Sequence, residues 1–209
     1  MIEEKREREE SPQKGTERLE AFSDGVFAVA ITLLVIDLKV PQLSGAPTAG
    51  ELARELASQW ASYVAFLISF ATILIMWVSH HNLFKLIDKL NTPFMFANGF
   101  LLLLVTVVPF PTALVSQYLQ SEAATTACVA YSGLFVFISI AYNILWWSAA
   151  YRHHLLRADI TPAFIRSRTF SYGLGFPSYL VAVLIAFWSP AISIGICSVL
   201  WLFWAFTNF

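Results

Sequence analysis

The chain has 209 residues, 57% hydrophobic and 15% aromatic, with only 13% charged and a mean hydropathy of +0.65. That charged share is about half the usual one for soluble domains, so a water-soluble globular fold is excluded and an integral membrane protein is expected. A net charge of −1 gives no reason to expect a nucleic-acid partner, and Cys128 and Cys197, both inside apolar runs, read as buried thiols.

Residues 1–20 are polar and mixed in sign. They offer no apolar core of a secretory signal, so the spans themselves are expected to drive insertion. The segment 1–15 reads as irregular and outside the membrane, and 16–209 as the apolar membrane body. Thr16 is placed to cap the first helix, with Glu17 and Glu20 near its positive end. The first span covers about 18–39, with its apolar part from about 22. A loop with Pro41, Gly45, Pro47 and Gly50 follows, and Thr48 and Glu51 have capping-box spacing.

Stretches free of Asp, Glu, Lys and Arg then set five further spans, at about 57–79, 93–117, 123–148, 165–188 and 190–208. Each approaches the roughly 20 residues that cross a bilayer as a helix. Thr92-Pro93, Thr161-Pro162 and Ser189-Pro190 place a hydroxyl before a helix-starting proline. Pro109 and Pro111 predict a kink in the third span, and Pro177, with Gly173 and Gly175, one in the fifth. Asn143 predicts an interhelical hydrogen bond.

Six spans put both termini on one side. The N-terminal segment, the second loop and the fourth loop hold eleven of the 13 basic residues, which makes that side the cytoplasm. Trp60, Tyr118 and Trp188 suit the outer interface, and Trp77, Trp146, Trp147 and Tyr151 the inner one.

The first span is unlike the others. Only twelve uncharged residues separate Asp24 from Asp37, about 18 Å of helix against a hydrocarbon core near 30 Å. An acid at that depth is costly unless protein or water surrounds it, so helix 1 is expected in the protein interior. On a helical wheel Val29, Leu33 and Ile36 form one aliphatic row, with Phe22 and Thr32 close to it. Asp24 points about 140° away from Val29. Arg18 and Asp24, six apart, do not face each other, so their partners are expected on other helices, among His80, His81, Asn82 and Asn98.

Arg18, Phe22, Ser23 and Asp24 form R-x-x-x-F-S-D at the head of this span, followed by "GVFAVAITLLVIDL" and, at 77–84, "WVSHHNLF". This resembles the transmembrane protein 175 family, the endosomal and lysosomal potassium channels with short prokaryotic relatives. The resemblance is strong over 18–38 and 60–110 and covers most of the chain in layout. It implies an all-α membrane protein with six transmembrane helices, helix 1 central and pore-lining. The family's constriction and its further apolar layers match Val29, Leu33 and Ile36, and its hydroxyl linked to cation preference matches Thr32. Trp77, His81 and Asn98 then join Arg18, Phe22, Ser23 and Asp24 in a structural network. The constriction residue, commonly isoleucine, is valine here. One six-span unit implies a homotetramer in the lipid bilayer of a prokaryotic plasma membrane, passing K+ and needing no cofactor.

No stretch resembles TVGYG, so selectivity by a carbonyl cage is not expected. His80-His81 and His153-His154 are adjacent pairs, a spacing that turns the two rings to different helix faces, so no metal site is expected. A proton-permeable channel or a secondary cation transporter on the same scaffold is the rival reading. A membrane enzyme would need a nucleophile or metal motif that the sequence lacks, and a non-conducting scaffold is the blandest alternative.

Overall fold

A computed structural model describes residues 2–151 and 155–207; Arg152, His153 and His154 lie outside it. The chain is helical: α1 (Ile2–Leu33) with a 3-10 extension (Leu34–Asp37), α2 (Ala49–Ser58), α3 (Trp60–Phe84), α4 (Thr92–Val107), α5 (Pro109–Tyr118), α6 (Ala124–Ala150), α7 (Pro162–Ala186) and α8 (Pro190–Thr207). Five stretches are long and apolar enough to cross a membrane: Gly15–Asp37, Trp60–Phe84, Thr92–Tyr118, Ala124–Ala150 and Pro162–Ala186. The sixth apolar helix, α8, is shorter.

Helix α6 is the hub, packed against α4, α5, α7 and α8. Its buried positions Ala127, Tyr131, Leu134, Ile138, Ala141, Leu145 and Ala149 recur at three- and four-residue intervals. On α3 the buried seam Ala61, Ala65, Ser69 and Thr72 is built of small residues, which lets neighbouring backbones come close. Where α7 meets α6, a Cβ on Gly175 would stand 3.0 Å from the Ser139 hydroxyl, so any larger residue would push the Ser139 side chain aside.

Apolar surfaces do not drive helices together in lipid, and polar ties take part of that role. Ser69 Oγ lies 2.8 Å from Thr112 Oγ1 and 3.1 Å from Tyr131 Oη, joining α3, α5 and α6. Tyr142 Oη donates to the Met76 carbonyl at 2.6 Å. Asn143 Nδ2 donates to the Tyr172 carbonyl at 2.9 Å, the interhelical bond expected of it. At one end of the bundle an antiparallel bridge pairs Ile87 with Leu156, with Asp88 N–H donating to the Leu155 carbonyl and Arg157 N–H to the Leu86 carbonyl. It fastens the α3–α4 loop to the α6–α7 loop.

Several boundaries differ from expectation. Helix α1 runs from Ile2, so Thr16 lies inside the helix instead of capping it. Thr48 and Glu51 do form a capping box, but on a separate amphipathic helix, α2, set apart from α3 only by Gln59. Helix α4 is capped by Asn91, whose Oδ1 accepts from Phe94 N–H at 2.8 Å, and not by Thr92. Asparagine is the stronger cap and stands one residue earlier. Thr161 and Ser189 cap as expected, accepting from Phe164 N–H and Ile192 N–H. The third span divides at Val108, and α7 continues through Pro177.

Candidate functional site: the two faces of the first helix

The first helix packs on α3 and α4. It is therefore an edge helix of the single chain. Its inner stripe is closed: Ser23, Phe27, Ala30 and Leu34 are 0–1% exposed. Its outer stripe is open: Phe22 is 63% exposed, Val29 55%, Leu33 40% and Ile36 69%. Arg18, Gly25 and Thr32 are exposed on the same side. The aliphatic row of the sequence is thus the uncovered face, and Asp24 lies away from it.

Two neighbouring sets of hydrogen bonds hold the inner stripe. Ser23 Oγ donates to the Leu19 carbonyl at 2.8 Å, which leaves it to accept from Asn98 Nδ2 at 2.9 Å. The Asn98 Oδ1 accepts from His80 Nε2 at 2.8 Å. Because an amide oxygen cannot donate, the Nε2 position carries the proton, and Nδ1 of a neutral ring is bare. That Nδ1 is buried without a hydrogen-bond partner among the described residues. The His80 ring is instead held between aromatic rings, stacked on Phe84 with centroids 4.3 Å apart and tilted against Phe27 at 5.3 Å.

The second set lies one helical step further round. Trp77 Nε1 donates to Asp24 Oδ1 at 2.8 Å. His81 Nδ1 meets Glu20 Oε1 at 2.6 Å, and the Trp77 and His81 rings stack at 5.9 Å and 15°. Glu20, Ser23, Asp24 and Phe27 follow the three- and four-residue spacing of one helix face, and each finds its partner on α3 or α4.

Ser23 and Asn98 share one hydrogen-bonded set with His80, and Asp24 and Trp77 lie beside His81 in the other. Phe22 does not join them: its side chain is on the open face. Arg18 is exposed and makes no ion pair among the described residues. Asp24 takes a neutral donor, Trp77, where a cationic or amide partner was expected. Glu20 was read only as an acid near the helix start; its position four residues before Asp24 is the signal that could have placed it in the network. Trp77 donates to Asp24, and Trp146, 1% exposed, is buried and donates to Thr169 Oγ1 at 2.8 Å, so its ring does not reach an interface. Among the described residues no three His, Cys, Asp or Glu side chains gather as a metal site would require.

The open face carries little polarity. Thr32 Oγ1 donates to the Val29 carbonyl at 2.9 Å, turning its hydroxyl proton back into the helix.

Long apolar helices stitched by buried hydroxyl and amide bonds, with one edge helix clamped on its polar side and bare on its aliphatic side, define an integral membrane protein of the α-helical class. The family model described as "Endosomal/lysosomal potassium channel TMEM175" matches residues 18–109. A potassium channel of Chamaesiphon minutus is 47% identical over 197 residues, 94% of this chain and 97% of that protein. A potassium channel of Streptomyces collinus is 38% identical over 192 residues, 91% of this chain and 92% of that one. The crystal structure of a lysosomal potassium-selective channel TMEM175 homolog from Chamaesiphon minutus superposes with a TM-score of 0.84 at 46% identity, covering 93% of this chain and 98% of that one. The chain belongs to the TMEM175 family of cation channels. The human endosomal/lysosomal proton channel TMEM175 is 29% identical over 142 residues, of which this chain spans 28% of the length.

Proposed function

We propose that four copies of this chain form a potassium channel with the four α1 helices around the pore axis. The observation that carries the reading is the division of α1: the polar side is fastened to α3 and α4, and the row Val29, Leu33 and Ile36 is left bare. An apolar face would also be at home in lipid, so bareness alone does not decide. Beside the row runs a stripe of small exposed residues, Ala21, Gly25, Ala28 and Thr32, which suits close approach of another helix better than contact with acyl chains. Relatives of matching length are named potassium channels.

In this reading the narrowest ring is built by Val29, with Leu33 and Ile36 as further apolar layers. A closed ring of aliphatic side chains dewets and stops ions without a plug. When the ring widens, ions pass with part of their water removed, and potassium gives up water more readily than sodium. Thr32 oxygens replace part of what is lost. Such a pore favours potassium without a carbonyl cage and predicts modest selectivity. The concentration of basic residues at the end carrying the α1 start, the α3–α4 loop and the α6–α7 loop supports cytoplasmic termini in a prokaryotic plasma membrane. α8 completes a six-span layout.

Potassium flux into liposomes holding purified protein tests the assignment. Val29→Asn is expected to raise flux, because a polar ring stays wet. Unchanged flux with polar residues at Val29, Leu33 and Ile36 alike would remove α1 from the path. The name of the human relative favours a second reading, a proton-permeable path through the same ring. Reversal potentials separate the two, because a potassium channel follows the potassium gradient and a proton channel the pH gradient.

A further inference from the structure

We infer that the outer surface between α6 and α7 is a binding site for one anionic phospholipid, its phosphate on Arg166 and an acyl chain in the groove below. The groove, about 410 Å³, is walled by Ile140, Ile144 and Trp147 of α6 and Phe176 of α7. Asn143 and Gly173 form its floor. Both amide hydrogens of Asn143 are already given to the carbonyls of Ser139 and Tyr172. The floor thus offers an occupant no unspent N–H, and the walls are aliphatic and aromatic. A Cβ on Gly173 would touch nothing within 4 Å, so the space over it is open.

Two hydrogen bonds set the heights. Asn143 is level with Tyr172, and Trp146 with Thr169, so Trp147 stands level with Arg168. Arg166 is two residues, about 3 Å, nearer the helix start. Arg166, Phe170 and Gly173 follow i, i+4, i+7 and share one face of α7. Arg166 is exposed, and Phe170 beside it is 68% exposed. Arg168 serves the other side, over the Phe164 ring at 5.5 Å. Arg157 on the nearby loop is neutralised by a two-pronged pair with Asp159 at 3.1 Å. Among the described residues the charge at the mouth of the groove is therefore that of Arg166, one to two turns inside a helix that starts at Pro162. An arginine there reaches the headgroup layer by extending its side chain toward the helix end. Guanidinium binds phosphate through two parallel N–H bonds.

A lipid fits better than a second copy of the chain. The groove runs along two membrane-length helices and is separated from α1 by α4, the helix that packs on both α1 and α6. Its long axis from Ile140 to Trp147 is about 10 Å of helix, parallel to an acyl chain.

Native mass spectrometry of the full chain in detergent, with equal phosphatidylglycerol or phosphatidylcholine added, tests this. Wild type is expected to retain phosphatidylglycerol about fivefold more, the preference one arginine near a surface supplies. Arg166→Gln should abolish the preference and Arg166→Lys restore part of it. Gly173→Leu, which fills the groove, should lower retention of both lipids. Equal retention of the two lipids by wild type, or an unchanged preference in Arg166→Gln, would overturn the proposal. So would efficient crosslinking between copies through Gly173→Cys, which would give the groove to a neighbouring chain. Arg166 is on the surface, so its variants remain informative if the groove-filling variant fails to fold.

Discussion

The indole of Trp77 donates to the carboxylate of Asp24 across 2.8 Å, joining two helices through residues 53 apart in sequence. A half-buried acid is thereby held by a donor that keeps its form at every pH. Trp77→Phe removes the donor while keeping an aromatic ring. It is expected to lower stability by about 1–3 kcal/mol, the cost of leaving such a group unpaired. Asp24→Asn, whose amide oxygen still accepts from the indole, should cost less. Thermal unfolding of the detergent-solubilised protein checks the order of the two.

The chain Ser23–Asn98–His80 makes a second, separable claim. Asn98 supplies the donor to one neighbour and the acceptor to the other, and it is 1% exposed. Asn98→Leu strands both ends and should cost about 1–3 kcal/mol. Combined with His80→Ala, the losses should fall short of additive, because the two residues share a bond. A double-mutant cycle on melting temperature measures that coupling.

Val29→Ile adds one methylene per chain to the proposed ring. It should tighten the seal and reduce basal potassium leak in liposomes, opposite in sign to Val29→Asn. Leak equal to wild type in both variants would place the constriction elsewhere on α1.

The capping box of α2 carries a pH dependence of its own. Thr48 donates to Glu51 through both its backbone N–H and its hydroxyl, each at 2.8 Å, and these bonds hold the Glu51 carboxyl below its ordinary pKa. A lowered folded-state pKa stabilises above the unfolded value and loses that contribution as pH falls through the folded one. The first turn of α2 is therefore expected to loosen below the ordinary carboxylate range. Hydrogen exchange at the start of α2 should rise there, and Glu51→Gln should flatten the response.

Much of the scaffold is legible because charge gaps mark lipid-length helices whatever their packing. Thr161, Ser189 and the Thr48–Glu51 box read directly, since capping is a local interaction. What escaped is what depends on neighbours. Trp146 looks like an interfacial anchor until its N–H partner, Thr169, is brought in from another helix, and nothing local announces that Trp77 donates to Asp24. Glu20 looks like a helix-start acid because nothing local announces His81. Helix α2 is hidden by its closeness to α3. The inward and outward faces of α1 follow from periodicity, whereas its edge position does not: the acids that suggest an interior helix are satisfied from one side only.

The Thr32 hydroxyl has one proton, and the Val29 carbonyl holds it. What Thr32 presents on the open side of α1 is therefore oxygen lone pairs. Four such oxygens around an axis would form a collar that can only accept. It would welcome a partly dehydrated cation and offer a chloride ion no hydrogen bond. The choice between positive and negative ions would then rest on where a single side-chain proton is parked, one turn beyond the valine ring, with no charged residue between Val29 and Ile36.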